Sequence, residues 1–202
     1  MKPTYVLAAI GHFWSSDVNR AAVDLLDPQP GEHVLDLAAG LGPASVEVAR
    51  RVAPTGRVTA IDPSRSMRTA LRTRRLWQRS RSSLEVRPGA AEDLPLTRGS
   101  VDAAVSLNAM HHLPDLEGAA RELARVLVPG GRLLLIDEDF NDGDHSFHQG
   151  DHHHEHGEGP EFVDPDHMTA VLVAAGFQDA QADHRPIGGE PAYIITAAAP
   201  RS

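Results

Sequence analysis

Apolar residues along this chain fall into two alternating rhythms. Val34-Leu35-Asp36-Leu37, Arg57 to Ile61, Leu84 to Arg87, Val101 to Leu107 and Arg132 to Ile136 are short runs of strand length. The run from Val101 is almost unbroken, which predicts a strand buried on both faces, as a parallel sheet requires. Between these runs the spacing becomes helical: Val18, Ala21, Ala22, Leu25 and Leu26; Ala44 to Val52; Ser64 to about Trp77; and Leu116 to Leu127. Ser15 and Ser16 are candidate N-caps for the first helix, with Phe13 and Trp14 ahead of them as a hydrophobic staple or as cover for a ligand. Pro54-Thr55-Gly56, Pro88-Gly89 and Pro129-Gly130-Gly131 punctuate the pattern as turns. Asp164-Pro165 opens a further helix through Ala175, ended by Gly176, and Tyr193 to Ala198 reads as a last strand. Strands alternating with helices predict an α/β, doubly wound sheet, whose ligands sit beyond the carboxyl ends of the strands. Asp36, Asp62, Asn108 and Asp137 are expected there.

The junction after the first strand carries the chemistry. Val34 to Gly42 runs from an apolar stretch into a loop of small residues and straight into a helix. The N–H groups of a helix N-terminus have no internal partner and the dipole there is positive, so small residues let a carboxylate, ribose or phosphate approach the backbone. An ordinary strand-to-helix turn would look the same from its glycines alone. Asp62, about twenty residues on at the end of the second strand, adds the carboxylate that a βαβ nucleotide site sets against ribose hydroxyls. Only Gly40 and Gly42 are present and Pro43 follows, so Gly-x-Gly-x-x-Gly is not met and a mononucleoside-like ligand is favoured over NAD.

Composition narrows the class. A chain of 202 residues with 41% hydrophobic content buries one good core, which predicts a single domain over 1–202. The absence of cysteine removes disulfides and thiolate chemistry and fits a cytoplasmic protein. Met1 to Ile10 is too short and too weakly basic for a signal peptide, and no stretch has the length of a membrane span. A net charge of −9 argues against nucleic acid as a partner. Eight of the nineteen basic residues lie between Arg65 and Arg87, whereas Leu133 to His184 has no Lys or Arg and thirteen of the twenty-eight acidic residues. The basic stretch reads as a solvated helix face, since Trp77 alone accompanies it as an aromatic platform.

Val34–Gly42, Asp62-Pro63-Ser64-Arg65-Ser66-Met67, Ala91-Glu92-Asp93-Leu94-Pro95-Leu96 and Met110-His111-His112-Leu113 resemble, in order, the motifs of class I S-adenosylmethionine-dependent methyltransferases of the ubiquinone/menaquinone-biosynthesis type. The resemblance is close over about 12–138 and loose over 162–198. It implies a Rossmann-like, mostly parallel seven-stranded sheet of order 3-2-1-4-5-7-6 with an antiparallel last strand. It also implies S-adenosylmethionine as cofactor. Asp36 would orient the turn and approach the methionine amino group; Ala38, Gly40 and Gly42 would give backbone clearance; Asp62, with Pro63 beside it, would take the ribose hydroxyls; and Met67 would lie on the adenine. Ala91, Glu92 and Asn108 complete the implied cofactor set. The family's Gly-Asp-Ala loop reads Gly89-Ala90-Ala91 here, so Glu92 or Asp93 would replace the missing adenine acceptor.

Methyl transfer to oxygen, carbon or a protonated nitrogen needs a base, and His111 and His112 are the candidates beside a purely structural, turn-capping role. Asp137, Glu138 and Asp139 leave the fifth strand on the same rim. A small-molecule acceptor follows from a chain with no room for a large recognition domain. Asn141 to Pro160 reads as an insertion carrying six of the twelve histidines, namely His145, His148, His152, His153, His154 and His156. The set His148, His152, His153, His154 and His156 suits Zn or Ni, with i, i+4 spacings, while four glycines favour a flexible polar loop. Two further classes therefore stand beside a methyltransferase: a metal-responsive binding protein on the same fold, and an NAD(P)-dependent oxidoreductase. The glycine spacing and the lack of a Tyr-x-x-x-Lys pair, Lys2 being the only lysine, disfavour the last.

Overall fold

In the computed structural model, residues 17–76, 84–140, 142 and 163–201 are described. The apolar runs form strands β1 (His33–Leu37), β2 (Arg57–Ile61), β3 (Leu84–Arg87), β4 (Val101–Leu107) and β5 (Leu127–Glu138). The helical spacings form α1 (Asp17–Leu26), α2 (Pro43–Val52), α3 (Arg65–Leu76), α4 (Leu116–Val126) and α5 (Pro165–Ala174), and the chain closes with β6 (Gln178–Ile187) and β7 (Glu190–Ala198). The seven strands form one sheet in the order β3-β2-β1-β4-β5-β7-β6, as the resemblance implied. The first five are mutually parallel; β7 pairs antiparallel with both β5 and β6.

Alternate residues of each central strand feed opposite layers. Val34, Ala60, Val105, Leu134 and Ile194 face a core completed by α1, α2 and Leu71 of α3. Their neighbours Leu35, Ile61, Ala104, Leu135 and Ile195 face the core made with α4 and α5. Burial on both faces is why these strands read as continuous apolar runs. Around α1, the inward residues are Val18, Ala22, Val23 and Leu26, while Leu25 is 40% exposed. The inward stripe therefore passes through Val23 where Leu25 was expected. In α3 Leu71 is the one fully buried residue, while Arg68, Arg74 and Arg75 are half-buried and Arg65 and Arg72 exposed.

Three boundaries differ from expectation. β5 starts at Leu127, not Arg132, because Leu127 pairs with Val101 before a register shift and because Gly130 and Gly131 exchange backbone hydrogen bonds with Ala199. It runs on to Glu138, so Asp137 and Glu138 are its last residues. β7 starts at Glu190, three residues before Tyr193. β6 has no apolar alternation, being exposed at nearly every position, and is held chiefly by its pairing with β7, with Ile187 at its end buried in the core. An edge strand of this polarity is a protected edge.

Candidate active site

The loop after β1 is built on left-handed backbone, with Ala38 at φ +55°, Gly40 at φ +52° and Gly42 at φ +70°. The Ala39 N–H donates to Ile61 at the end of β2 and the Gly42 N–H to Ala39, which folds the loop back over the strand ends. Asp62 then clamps it. Its Oδ2 accepts the Gly40 N–H at 2.8 Å and its Oδ1 accepts the Ser64 N–H at 2.8 Å, with the residue 6% exposed. Each carboxylate oxygen keeps a second lone pair for a ligand hydroxyl.

The two glycines differ in role. A Cβ on Gly40 would meet only the Ala38 carbonyl oxygen, at 4.0 Å, so the backbone there is open to close approach. A Cβ on Gly42 would fall 2.0 Å from Leu71 Cδ1, so this glycine lets α2 start tight against α3. Asp36 is 2% exposed and accepts the Ser45 hydroxyl with Oδ2, tying β1 to the first turn of α2. Burial, with the nearby Asp62 charge adding to it and the Ser45 hydrogen bonds opposing it, pushes Asp36 up to about 7. Its carboxylate faces the helix start, so it serves the expected turn-orienting part from inside the fold.

Pro63 is exposed and Met67 half-buried, side by side with the Asp62 clamp at the start of α3. Arg68 donates to the carbonyls of Asp62 and Pro63, 2.8 Å each, fixing that turn. Ala91 is 6% exposed and packs into the α4-side core. Glu92 has a buried Oε1 with no hydrogen-bond partner among the described residues, whereas Asp93 is exposed and its N–H is turned back to Ala90. Of the two substitutes for the missing loop aspartate, Glu92 holds the unspent acceptor.

On the β4 and β5 side, Asn108 stands at φ +51°, which asparagine tolerates, and exchanges two hydrogen bonds with Glu138: its Oδ1 accepts the Glu138 N–H at 2.7 Å and its Nδ2 donates to Glu138 Oε1 at 2.5 Å. Asp137 Oδ1 accepts the N–H groups of Ala109 at 2.8 Å and Met110 at 3.3 Å, and Asp137 Oδ2 lies 3.0 Å from His111 Nδ1. His111 is thus a buried imidazole, its side chain 8% exposed, held by a carboxylate whose side chain is 3% exposed. The His112 ring is 4.0 Å from it, tilted, and the residue is exposed. Partial desolvation of its ring and the neighbouring His111 push the His112 imidazole down, against the Asp137 charge. The sequence offered the two histidines as equals; only His111 acquires a carboxylate partner.

Residues that periodicity did not single out hold the site together: Ser45, Ser64, Arg68 and Glu138. The first two had a readable signal, a hydroxyl in the opening turn after each acidic strand end. The expected metal ligands His148, His152, His153, His154 and His156 lie outside the described residues, as do Phe13 and Trp14.

The rim fits an adenosyl ligand on its own terms: an open Gly40 backbone, a clamped carboxylate at the end of β2 and an unpaired acidic oxygen after β3. The comparisons agree. The model of the methyltransferase domain family matches residues 35–135, the stretch from β1 to β5 that builds this rim. A ubiquinone/menaquinone biosynthesis C-methyltransferase of Rubrivivax gelatinosus is 35% identical over 118 residues, 58% of this chain and 44% of that protein. An O-methyltransferase of Pyrenophora dematioidea is 29% identical over 171 residues, 81% of this chain and 62% of that protein. The chain therefore spans between about two fifths and three fifths of the length of these curated relatives. In fold, the crystal structure of a SAM-dependent methyltransferase from Aquifex aeolicus is similar at a TM-score of 0.74 over 98% of each chain, with 20% identity. With sheet order, clamped loop and domain match in agreement, the chain belongs to the methyltransferase domain family, on the fold of the class I S-adenosylmethionine-dependent methyltransferases.

Proposed function

We propose that this chain forms a methyltransferase domain that transfers the methyl group of S-adenosylmethionine to a small-molecule acceptor. The observation that carries the reading is the Asp62 clamp, with one carboxylate joining the Gly40 loop to the turn before α3 at 2.8 Å on each side. Asp36, Ala38, Gly40, Gly42, Asp62, Pro63, Met67, Ala91, Glu92 and Asn108 make up the donor site. Asp62 accepts the ribose hydroxyls, and Glu92 Oε1 stands in for the aspartate replaced by Ala90. When bound there, S-adenosylmethionine supplies a methyl group on a sulfonium, electrophilic without acid assistance.

What the chain adds is position and a base. The relatives named above are described as C- and O-methyltransferases, acting at atoms that must lose a proton, and this reading carries that acceptor class over to the present chain. His111, its Nδ1 3.0 Å from Asp137 Oδ2, is the base that this reading assigns to the proton that an acceptor hydroxyl or activated carbon must lose. His112, its basicity lowered by partial burial and by the neighbouring His111, lines the same turn. The same reading places the enzyme in the cytoplasm and leaves out nucleic acid and membranes as partners. Among the described residues no helix is long and apolar enough to cross a membrane.

Calorimetric titration with S-adenosylhomocysteine and NAD tests this. The parent should bind the homocysteine compound and not NAD. Asp62→Ala should bind it about ten- to a hundredfold more weakly, the loss of a charge-assisted pair of contacts worth roughly 1.5–3 kcal/mol. Equal affinity in parent and variant would remove Asp62 from the site.

A further inference from the structure

Among the described residues outside the donor rim, one group of side chains has the donor chemistry and spacing of a metal centre. Asp139, Asp142 and His184 each bring one ligand atom to within 4.8 Å of the others. They come from two parts of the fold. Asp139 follows the last residue of β5, with its N–H donating to the Pro191 carbonyl at 2.8 Å, and Asp142 closes the next turn by donating its N–H to the Asp139 carbonyl at 3.1 Å. His184 sits on β6, opposite Tyr193 in the β6–β7 register.

The group is held in place before any ion arrives. The His184 ring stacks on Tyr193 with centroids 4.5 Å apart, and its Nε2 lies 3.3 Å from Asp139 Oδ2. Two ligands bound at about 2.1 Å on tetrahedral zinc stand roughly 3.4 Å apart, so this pair already has the separation of a coordination edge. Asp142 brings a carboxylate oxygen to within 4.8 Å of both. An orienting neighbour behind a metal-binding imidazole is what tunes such sites, and Tyr193 fills that place from the ring face.

The geometry points to a divalent-cation site formed by Asp139, Asp142 and His184 at the edge of the rim, taking a borderline-soft ion such as Zn²⁺, with water completing the shell. One imidazole nitrogen and two carboxylate oxygens select zinc or a neighbouring transition ion over Mg²⁺, which prefers oxygen alone. Its ligands are Asp139, Asp142 and His184. The experiment subtracts any metal affinity of the histidines of residues 145–156.

The test uses the full chain, stripped of metal, and titrates Zn²⁺ by calorimetry and Co²⁺ by its visible ligand-field absorption. A variant with His145, His148, His152, His153, His154 and His156 changed to Ala serves as the background in which the remaining site is counted. One ion per chain should bind in that background. His184→Ala and, separately, Asp142→Asn should weaken it roughly tenfold or more and change the Co²⁺ spectrum. Both substitutions are at the surface, and circular dichroism together with unchanged S-adenosylhomocysteine affinity shows that the fold and the donor site are intact. If the background variant binds no ion, or if His184→Ala and Asp142→Asn bind as tightly as the background with the same spectrum, the assignment is overturned. A failure of donor binding in the parent would instead count against the methyltransferase reading and leave the metal result to be judged separately.

Discussion

Asp36 shows what burial does to a carboxylate that is needed for its position. Its pKa is pushed up to about 7, chiefly by desolvation, so the folded protein holds this proton more tightly than the unfolded chain does. The sign follows: the contribution of Asp36 to stability is most favourable below the ordinary carboxylate range, is lost as pH rises toward 7, and is flat above it. Asp36→Asn keeps an acceptor for the Ser45 hydroxyl and removes the charge. Chemical denaturation at pH 5 and pH 8 should show the parent losing more stability than the variant across that interval, by up to a few kcal/mol; parallel behaviour of the two proteins would show that Asp36 does not titrate there. Asp137 gives the matching prediction for catalysis. Its Oδ1 is committed to two backbone N–H groups, so in Asp137→Asn the amide oxygen stays on that side and the NH₂ group turns to His111 Nδ1. His111 is then forced into the tautomer protonated at Nε2 and cannot accept a proton. Turnover with a hydroxyl-bearing small-molecule acceptor should fall about 10²–10⁴-fold with S-adenosylhomocysteine affinity unchanged. Nitrogen-15 chemical shifts of His111 should report the tautomer exchange, and a retained Nδ1–H form in the variant would dissolve the dyad.

At the scale of elements, the loop between β1 and α2 carries two glycines that look alike in sequence and are separated by what surrounds them. Gly40→Ala meets open space, so its stability cost is the left-handed backbone alone, about 1–2 kcal/mol, while its methyl group stands where a ligand must approach. Gly42→Ala adds to that strain a collision with Leu71, and should cost about 2–4 kcal/mol. Thermal unfolding and S-adenosylhomocysteine titration separate the two: Gly42→Ala should lose more stability and Gly40→Ala more affinity per unit of stability lost. Adding Leu71→Ala to Gly42→Ala should recover part of the collision term, and a purely additive double variant would contradict this packing. The same dependence on surroundings explains the element that sequence reading passed over. β6 has strand geometry because β7 offers it a hydrogen-bonding edge, while its own residues are exposed and show no period of two. Val23 replacing Leu25 on the inner face of α1 has a similar cause: either residue fits the helical period, and the position of α1 over α2 and the sheet selects the stripe.

For the molecule as a whole, the chain by itself determined the class of fold and the place of the chemistry. A strand buried on both faces must be continuously apolar, a left-handed loop favours small residues, and a βαβ nucleotide site needs its acidic residue about one helix further on. These are local demands, met by neighbours in sequence, and so Val34 to Gly42, Asp62 and the run from Val101 to His112 could be read directly. Only tertiary structure decided the pairings between residues far apart in the chain. It joined Gly40 to Asp62, His111 to Asp137 and Asn108 to Glu138, and it brought Asp139 and Asp142 to His184. It also turned Asp36 inward to Ser45 and left Glu92 Oε1 unpaired. The physical reason is that a side chain's burial and partner are set by strand order and register, and in this sheet the partners arrive from β2, β5 and β6, across connections along which hydrophobic periodicity carries no record of who will stand opposite whom.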